Sequence, residues 1–357
     1  MILVIDTILI YHCFSTVAEF YKTMGRVSKF MKENNLNNLH GGLTNGGHIF
    51  GFEEIFFYPK RDVGFYAVYI KLRPKLLICK NNYINTMYPS DIKMVEKEFR
   101  KRSEALGIPY QDIMTYKVKR VDYAVDVTIP PEQIPKYIHL FKRGNIPQNL
   151  LNEKTSYYFD ADNNLYLIGK NYNINFYNRY DTLCIKQADN KKAYSCIERT
   201  KGKLRFEVQL KKIDTNKLKQ RGLIEENSVK DFFNPDIAEY VILNHFDKII
   251  GKGDYMSYFK ALGKLKSEKA KDILSRIKSA GSIYKAKEQY ISEHNDKRKA
   301  EQTFSSALSY IRERNINPVT LDAGEDKIIN PRKLIFEYFD NKNKIFLTRR
   351  CDLEEEN

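Results

Sequence analysis

Tryptophan is missing from this 357-residue chain and cysteine is scarce, with only Cys13, Cys79, Cys184, Cys196 and Cys351. The five form no CxxC pair and join no histidine at zinc spacing, which excludes a disulfide scaffold or zinc ribbon and points to a reduced, cytoplasmic protein. Cys184 and Cys196 are the one pair sharing a loop. Long apolar runs are absent too, and none reaches the roughly 18 to 20 residues that a membrane-crossing helix needs. The opening MILVIDTILIYHCF carries an acid and no basic leader, so it reads as a first strand and not a signal peptide. No GxxxxGK[ST], HExxH or GxSxG occurs, which weighs against a P-loop NTPase, a zincin and a serine hydrolase. The six histidines (His12, His40, His48, His139, His245 and His294) are dispersed, with no His-x-His pair. His40 and His48 bracket the loop HGGLTNGG and are weak ligand candidates.

Basic residues, by contrast, abound. Lys and Arg number 60 against 45 Asp and Glu, a formal charge of +15 with a pI near 9.3. Such an excess favours a polyanionic partner, because each phosphate neutralised releases condensed counterions. Tyr (25) and Phe (21) supply rings on which unpaired bases could stack, and the apolar fraction of 42% suffices for a packed core.

To about residue 222 the pattern mixes strands and helices. Strands are expected at 1–11, 48–58, 63–72, 75–79, 155–159 and 164–169. Helices are expected around Ala18, Tyr21, Val27 and Met31, from Pro89 to Leu106, and from Pro130 to Phe141. Lys186 to Gly202 reads as a polar connection. Beyond residue 213 helices dominate, at 214–222, 236–249, 255–266, 268–279, 282–293 and 298–314. The expectation is an α+β domain over 1–222, an antiparallel sheet flanked by helices, followed by a helical, basic domain over 223–357. Residues 251–300 hold 13 Lys and Arg against 6 Asp and Glu, a local excess of +7 (13 minus 6). Lys264, Lys266 and Lys269 lie there, either as a solvated helix face or as a grip on nucleic-acid backbone.

Three segments carry the chemistry. In KRVDYAVDVT (119–128), Val121, Tyr123, Val125 and Val127 share one parity and Arg120, Asp122 and Asp126 the other. In NINFYNRY (173–180), Ile174 and Phe176 leave Tyr177 and Arg179 on the far side. In KLRFEVQLKK (203–212), Leu204, Phe206, Val208 and Leu210 point one way, Arg205 and Glu207 the other. Period-two alternation forces these faces if the segments are strands. Asp is disfavoured within strands, so two of them on one Val-rich strand call for a reason. Either the face is wet and its acids pair with neighbouring Arg and Lys, or clustered carboxylates hold a hard cation, for which oxygen ligands select Mg2+ or Mn2+. A tyrosine beside such a site could act as a nucleophile on phosphorus.

IKLRPKLLI (70–78), RVDYAVDV followed by a proline-led helix, NINFYNR, and LRFEVQLKK followed by a short helix and Gly222 come in an order that resembles the gene II type replication initiators of filamentous phages and the Rep-trans initiators of rolling-circle plasmids. The resemblance covers roughly residues 60–225. It implies an RRM-like palm and a nicking-closing enzyme of the bacterial host cytoplasm. Such an enzyme cleaves one strand at a double-stranded origin, keeps the 5′ phosphate on tyrosine and leaves a 3′ hydroxyl primer. Its implied partners are origin duplex, single-stranded nick-site DNA and a host helicase. By position, the nucleophile falls on Tyr177 with Arg179 beside it, the metal ligands on Asp122 and Glu207, and a less certain third on Asp126. Lys71, Lys119, Arg120, Arg205, Lys211 and Lys212 join the lysines above as DNA contacts. The chain departs from the phage pattern in having Asn178-Arg179 after the tyrosine instead of an aliphatic residue and lysine, and in offering a second tyrosine, Tyr180. Strand parity favours Tyr177. A non-catalytic DNA- or RNA-binding regulator built on the same basic, aromatic sheet is the rival expectation.

Overall fold

The computed structural model describes residues 4–34, 42–44, 51–79, 87–109, 111–147, 150, 164–190, 196–325 and 327–340. His40, His48, Cys351 and the strand expected at 155–159 lie outside them. The strands are β1 (Ile5–Cys13), β2 (Gly42–Thr44), β3 (Phe52–Lys60), β4 (Phe65–Leu72), β5 (Lys117–Thr128), β6 (Asn164–Ile168), β7 (Tyr172–Asn178) and β8 (Lys203–Lys211). They form one sheet in the order β2-β3-β4-β1-β5-β8-β7-β6, antiparallel at every pairing.

The helices of the first half are α1 (Val17–Glu33), α2 (Pro74–Ile78), α3 (Ile92–Ala105), α4 (Ile134–Lys142), α5 (Arg179–Asn190) and α6 (Lys212–Gln220). Those beyond are α7 (Val229–Phe232), α8 (Pro235–Ile249), α9 (Tyr258–Gly263), α10 (Glu268–Ala280), α11 (Ile283–Ser292), α12 (Lys297–Glu313) and α13 (Arg332–Asp340). The protein is therefore α+β, an antiparallel sheet flanked by helices, with no further strand of the sheet after β8 among the described residues.

One face of the sheet is apolar, as the alternation requires. Val121, Tyr123 and Val125 on β5, Phe206 and Val208 on β8, and Ile174 and Phe176 on β7 are buried. Phe176 stacks on Phe206 at 4.7 Å, and both meet Phe246 of α8, while Phe141 of α4 lies 4.8 Å from Phe176. Toward the other edge Phe20 of α1 meets Phe57, and Phe99 of α3 meets Phe52. The Tyr123 hydroxyl donates to the Phe232 carbonyl at the end of α7. Helices beyond residue 222 thus complete the core over the sheet, so the boundary expected there marks a change of secondary structure across which the core is continuous. Further on, α10, α11 and α12 pack on one another.

Two local expectations are corrected. Of residues 75–79, taken for a strand, 75–78 belong to helix α2: Pro74 fills its first turn, where the missing N–H costs nothing, and so short an apolar run has no decisive period. The strand bearing Tyr177 ends at Asn178. The Asn178 side-chain oxygen accepts the Tyr180 N–H at 3.1 Å, as an N-cap would, and Thr182 returns a bond to the Asn178 carbonyl, so Arg179 and Tyr180 open a helix.

Candidate active site

The strands bearing the three expected elements are neighbours, in the order β5-β8-β7. Register sets Asp122 opposite Gln209, Ala124 opposite Glu207 and Asp126 opposite Arg205, and on the other side of β8 pairs Asn175 with Glu207 and Tyr177 with Arg205. Tyr177, Glu207, Arg205, Asp126 and Asp122 therefore share the face turned away from Phe176 and Phe206.

Tyr177 donates its hydroxyl proton to Glu207 Oε2 at 3.0 Å, and the other Glu207 oxygen accepts from the Asn175 amide at 3.2 Å. Arg179, at the first position of α5, reaches back so that its Nη1 lies 3.5 Å from the Tyr177 oxygen. Tyr177 is only 4% exposed and Arg179 3%. Burial, reinforced by the Glu207 carboxylate, pushes the Tyr177 hydroxyl well above its ordinary pKa, against the opposing pull of Arg205 and Arg179. Tyr180 is not part of this group, because its hydroxyl meets Glu198 at an exposed position 3.1 Å away.

A second acid, missed in the sequence, enters from β1. A register shift between Ile5 and Thr7 makes Asp6 the extra residue of a bulge, and its carboxylate accepts from Arg205 Nη2 at 3.1 Å. Arg205, 3% exposed, also has Nε 3.2 Å from Asp126, so one buried guanidinium serves two aspartates. Burial pushes the Asp6 carboxyl up, but Arg205, Arg73, Arg179 and Lys186 together outweigh it and hold Asp6 well below the usual carboxylate range. The available signal was an acid in the middle of an otherwise apolar first strand. Lys186 of α5 feels Arg73, Arg179, Asp6 and Glu207, which brings that helix over the polar face.

Asp122 sits one step along β5, gripped by its near neighbour Arg120 through two bonds of 2.8 and 2.5 Å. Burial pushes its carboxyl up to about 7 despite the Arg120 guanidinium, with Glu207 and Asp6 adding repulsion.

The expected Mg2+ or Mn2+ ligands do not assemble in this arrangement. Among the described residues no three His, Cys, Asp or Glu side chains converge as a metal-holding group. Asp122 is committed to Arg120 and Asp126 to Arg205, which puts guanidinium groups where a cation would have to sit, and only Glu207 is held by neutral partners. A hard cation takes six or more oxygens, so at least Arg120 would have to withdraw before these residues fitted one.

The expected DNA contacts divide into two groups. Lys71 pairs with Glu53 and Glu54, Arg120 and Arg205 with the acids above, and Lys211 donates to the Gly169 carbonyl, so these four are committed internally. Lys119, Lys212, Lys264 and Lys266 have no carboxylate partner among the described residues, and Lys269 reaches only the Thr303 hydroxyl at 3.4 Å. Cys184 and Cys196 are free thiols. No helix among the described residues is long and apolar enough to cross a membrane. No family model, no curated protein and no solved structure matches the chain.

Proposed function

We propose that the chain is a site-specific DNA strand transferase that starts rolling-circle replication, with Tyr177 as the nucleophile. The observation that supports it is the hydrogen bond from Tyr177 to Glu207, made between adjacent strands with two arginines beside it. In the proposed step the Tyr177 oxygen bonds to phosphorus as its proton passes to Glu207. The bond from phosphorus to the 3′ oxygen breaks, and that oxygen leaves as the 3′ hydroxyl after taking a proton. Because the phenol is held well above its ordinary pKa, proton transfer accompanies attack and no free phenolate precedes it. Arg179 offsets charge gathering on the phosphoryl oxygens, while Arg205, paired with Asp6 and Asp126, holds the strands that carry the Tyr177–Glu207 pair. The phosphotyrosine conserves the phosphodiester energy, so the reverse step rejoins ends. Since the hydroxyl is buried, the side chains covering it must move before DNA reaches it.

That same burial, with each aspartate matched to an arginine, favours a second reading in which the network is structural and the protein is a nucleic-acid-binding regulator. The two separate in one assay. A labelled single-stranded origin oligonucleotide, incubated with Mg2+, Mn2+ or chelator, becomes covalently attached to the wild type and not to Tyr177→Phe. Attachment to Tyr177→Phe at the wild-type level overturns the proposal, and origin binding without attachment under any condition selects the regulator.

A further inference from the structure

Phe259 on α9 is 71% exposed, more than any other large apolar side chain among the described residues. The helix beneath it is anchored elsewhere. Met256, Ala261 and Leu265 are buried in a small core with Leu274, Ile311 and Ile316, to which Tyr258 adds a partly buried ring. Phe259 has no part in that core. A single exposed ring is ordinary on a protein surface, and the surroundings set this one apart. Its ring lies 5.4 Å from Tyr258 at 69°, an edge-to-face contact that fixes its orientation. The Lys278 ammonium sits 4.3 Å from the Tyr258 centroid and 5.4 Å from that of Phe259. Lys260, Lys264, Lys266 and Lys278 are all exposed, and none has a carboxylate partner among the described residues.

We infer that Phe259, oriented by Tyr258, is a stacking platform for the bases of single-stranded nucleic acid, and that these four lysines neutralise the phosphates flanking the stacked base. The inference rests on nucleic acid being the partner, and it adds a contact separate from Tyr177. Charge complementarity selects the occupant. An apolar protein surface would not call for the Lys278 ammonium beside the ring and three more exposed lysines within seven residues of it along the chain, and a duplex keeps its base faces covered. Aromatic stacking tolerates every base, so the site holds single strands without reading sequence.

The absence of tryptophan makes the test clean, because Phe259→Trp introduces the chain's only indole at an exposed position where folding is indifferent to it. Titrating that variant with a short oligothymidylate quenches its emission saturably, whereas duplex DNA and inorganic polyphosphate do not. In the wild-type background Phe259→Ala weakens oligothymidylate binding about tenfold and leaves the salt dependence unchanged, and Phe259→Tyr retains the affinity. Unquenched emission while a labelled oligonucleotide demonstrably binds overturns the inference and leaves the strand-transfer proposal standing. Quenching without any covalent adduct does the reverse. Failure of the wild type to bind any nucleic acid removes both.

Discussion

The polar face of the sheet and the surface of α9 and α10 are both rich in cations, yet they use them in opposite ways. On the sheet Arg205 serves Asp6 and Asp126, Arg120 grips Asp122, and Lys71 lies between Glu53 and Glu54. On α9, α10 and the link between them the lysines at 260, 264, 266 and 278 stand in solvent without acidic partners among the described residues, although Lys271 and Arg276 of α10 do pair with acids. Charges spent on one another in a dry site fix geometry and contribute little net attraction for a distant polyanion. Charges left in water attract phosphate and add little to stability. On this contrast we propose chemistry for the first surface and affinity for the second.

The contrast breaks most sharply at Glu207. Glu207→Gln keeps the shape of the site and removes the proton acceptor, so single-turnover attachment falls about 10²- to 10⁴-fold while oligonucleotide affinity holds. An unchanged rate would return Glu207 to a structural role. Next comes stability in denaturant. Arg205→Met removes a buried guanidinium from two partly buried aspartates and costs about 3 kcal/mol, whereas Lys264→Met or Lys266→Met stays within about 0.5 kcal/mol. Equal losses would erase the distinction between the surfaces. Third, Lys264→Gln with Lys266→Gln flattens the slope of log affinity against log salt for a single strand by about 0.7 per lysine, and Lys71→Gln leaves it in place.

The smallest effect is the pH response. The Asp122 carboxyl, raised to about 7, is neutral below that value and ionised above it. Lowering the pH from 8 to 6 therefore removes a negative charge and releases Arg120, so DNA binding tightens in the wild type and does so less in Asp122→Asn. For folding the sign is parallel: a carboxyl raised above its unfolded value weakens the fold as pH climbs through about 7. Equal pH dependence in the two proteins would show that Asp122 does not titrate there.

What could be read from the sequence follows from how local each feature is. The polar and apolar faces of β5, β7 and β8 were legible because alternation is a two-residue property, and the α+β class with its helical continuation followed from long periodic segments. Whether the three faces adjoin depends on pairings between residues far apart in the chain, such as Asp122 with Gln209, 87 residues on, which no local pattern encodes. Asp6 escaped notice because a bulge, invisible to alternation, turns it toward Arg205. Arg179 was expected to share a strand face with Tyr177 and reaches it from a helix instead, since Asn178 ends the strand by capping α5. The departure of Asn178 from the phage pattern was visible in the sequence, and its capping role explains the geometry. Helix α13, short and next to a proline, was not foreseen, whereas the pairing of Arg120 and Arg205 with acids was one of the two readings the strand faces left open, and it makes them poor candidates for a phosphate grip.

The most direct measurement is to identify the residue that carries DNA after cleavage. Wild-type protein attached to a labelled origin strand, digested and examined by mass spectrometry, should yield a single nucleotide-bearing peptide with the phosphate on Tyr177. An adduct on Tyr180 or any other residue, or cleavage with no adduct at all, would contradict the proposed role of the Tyr177–Glu207 pair.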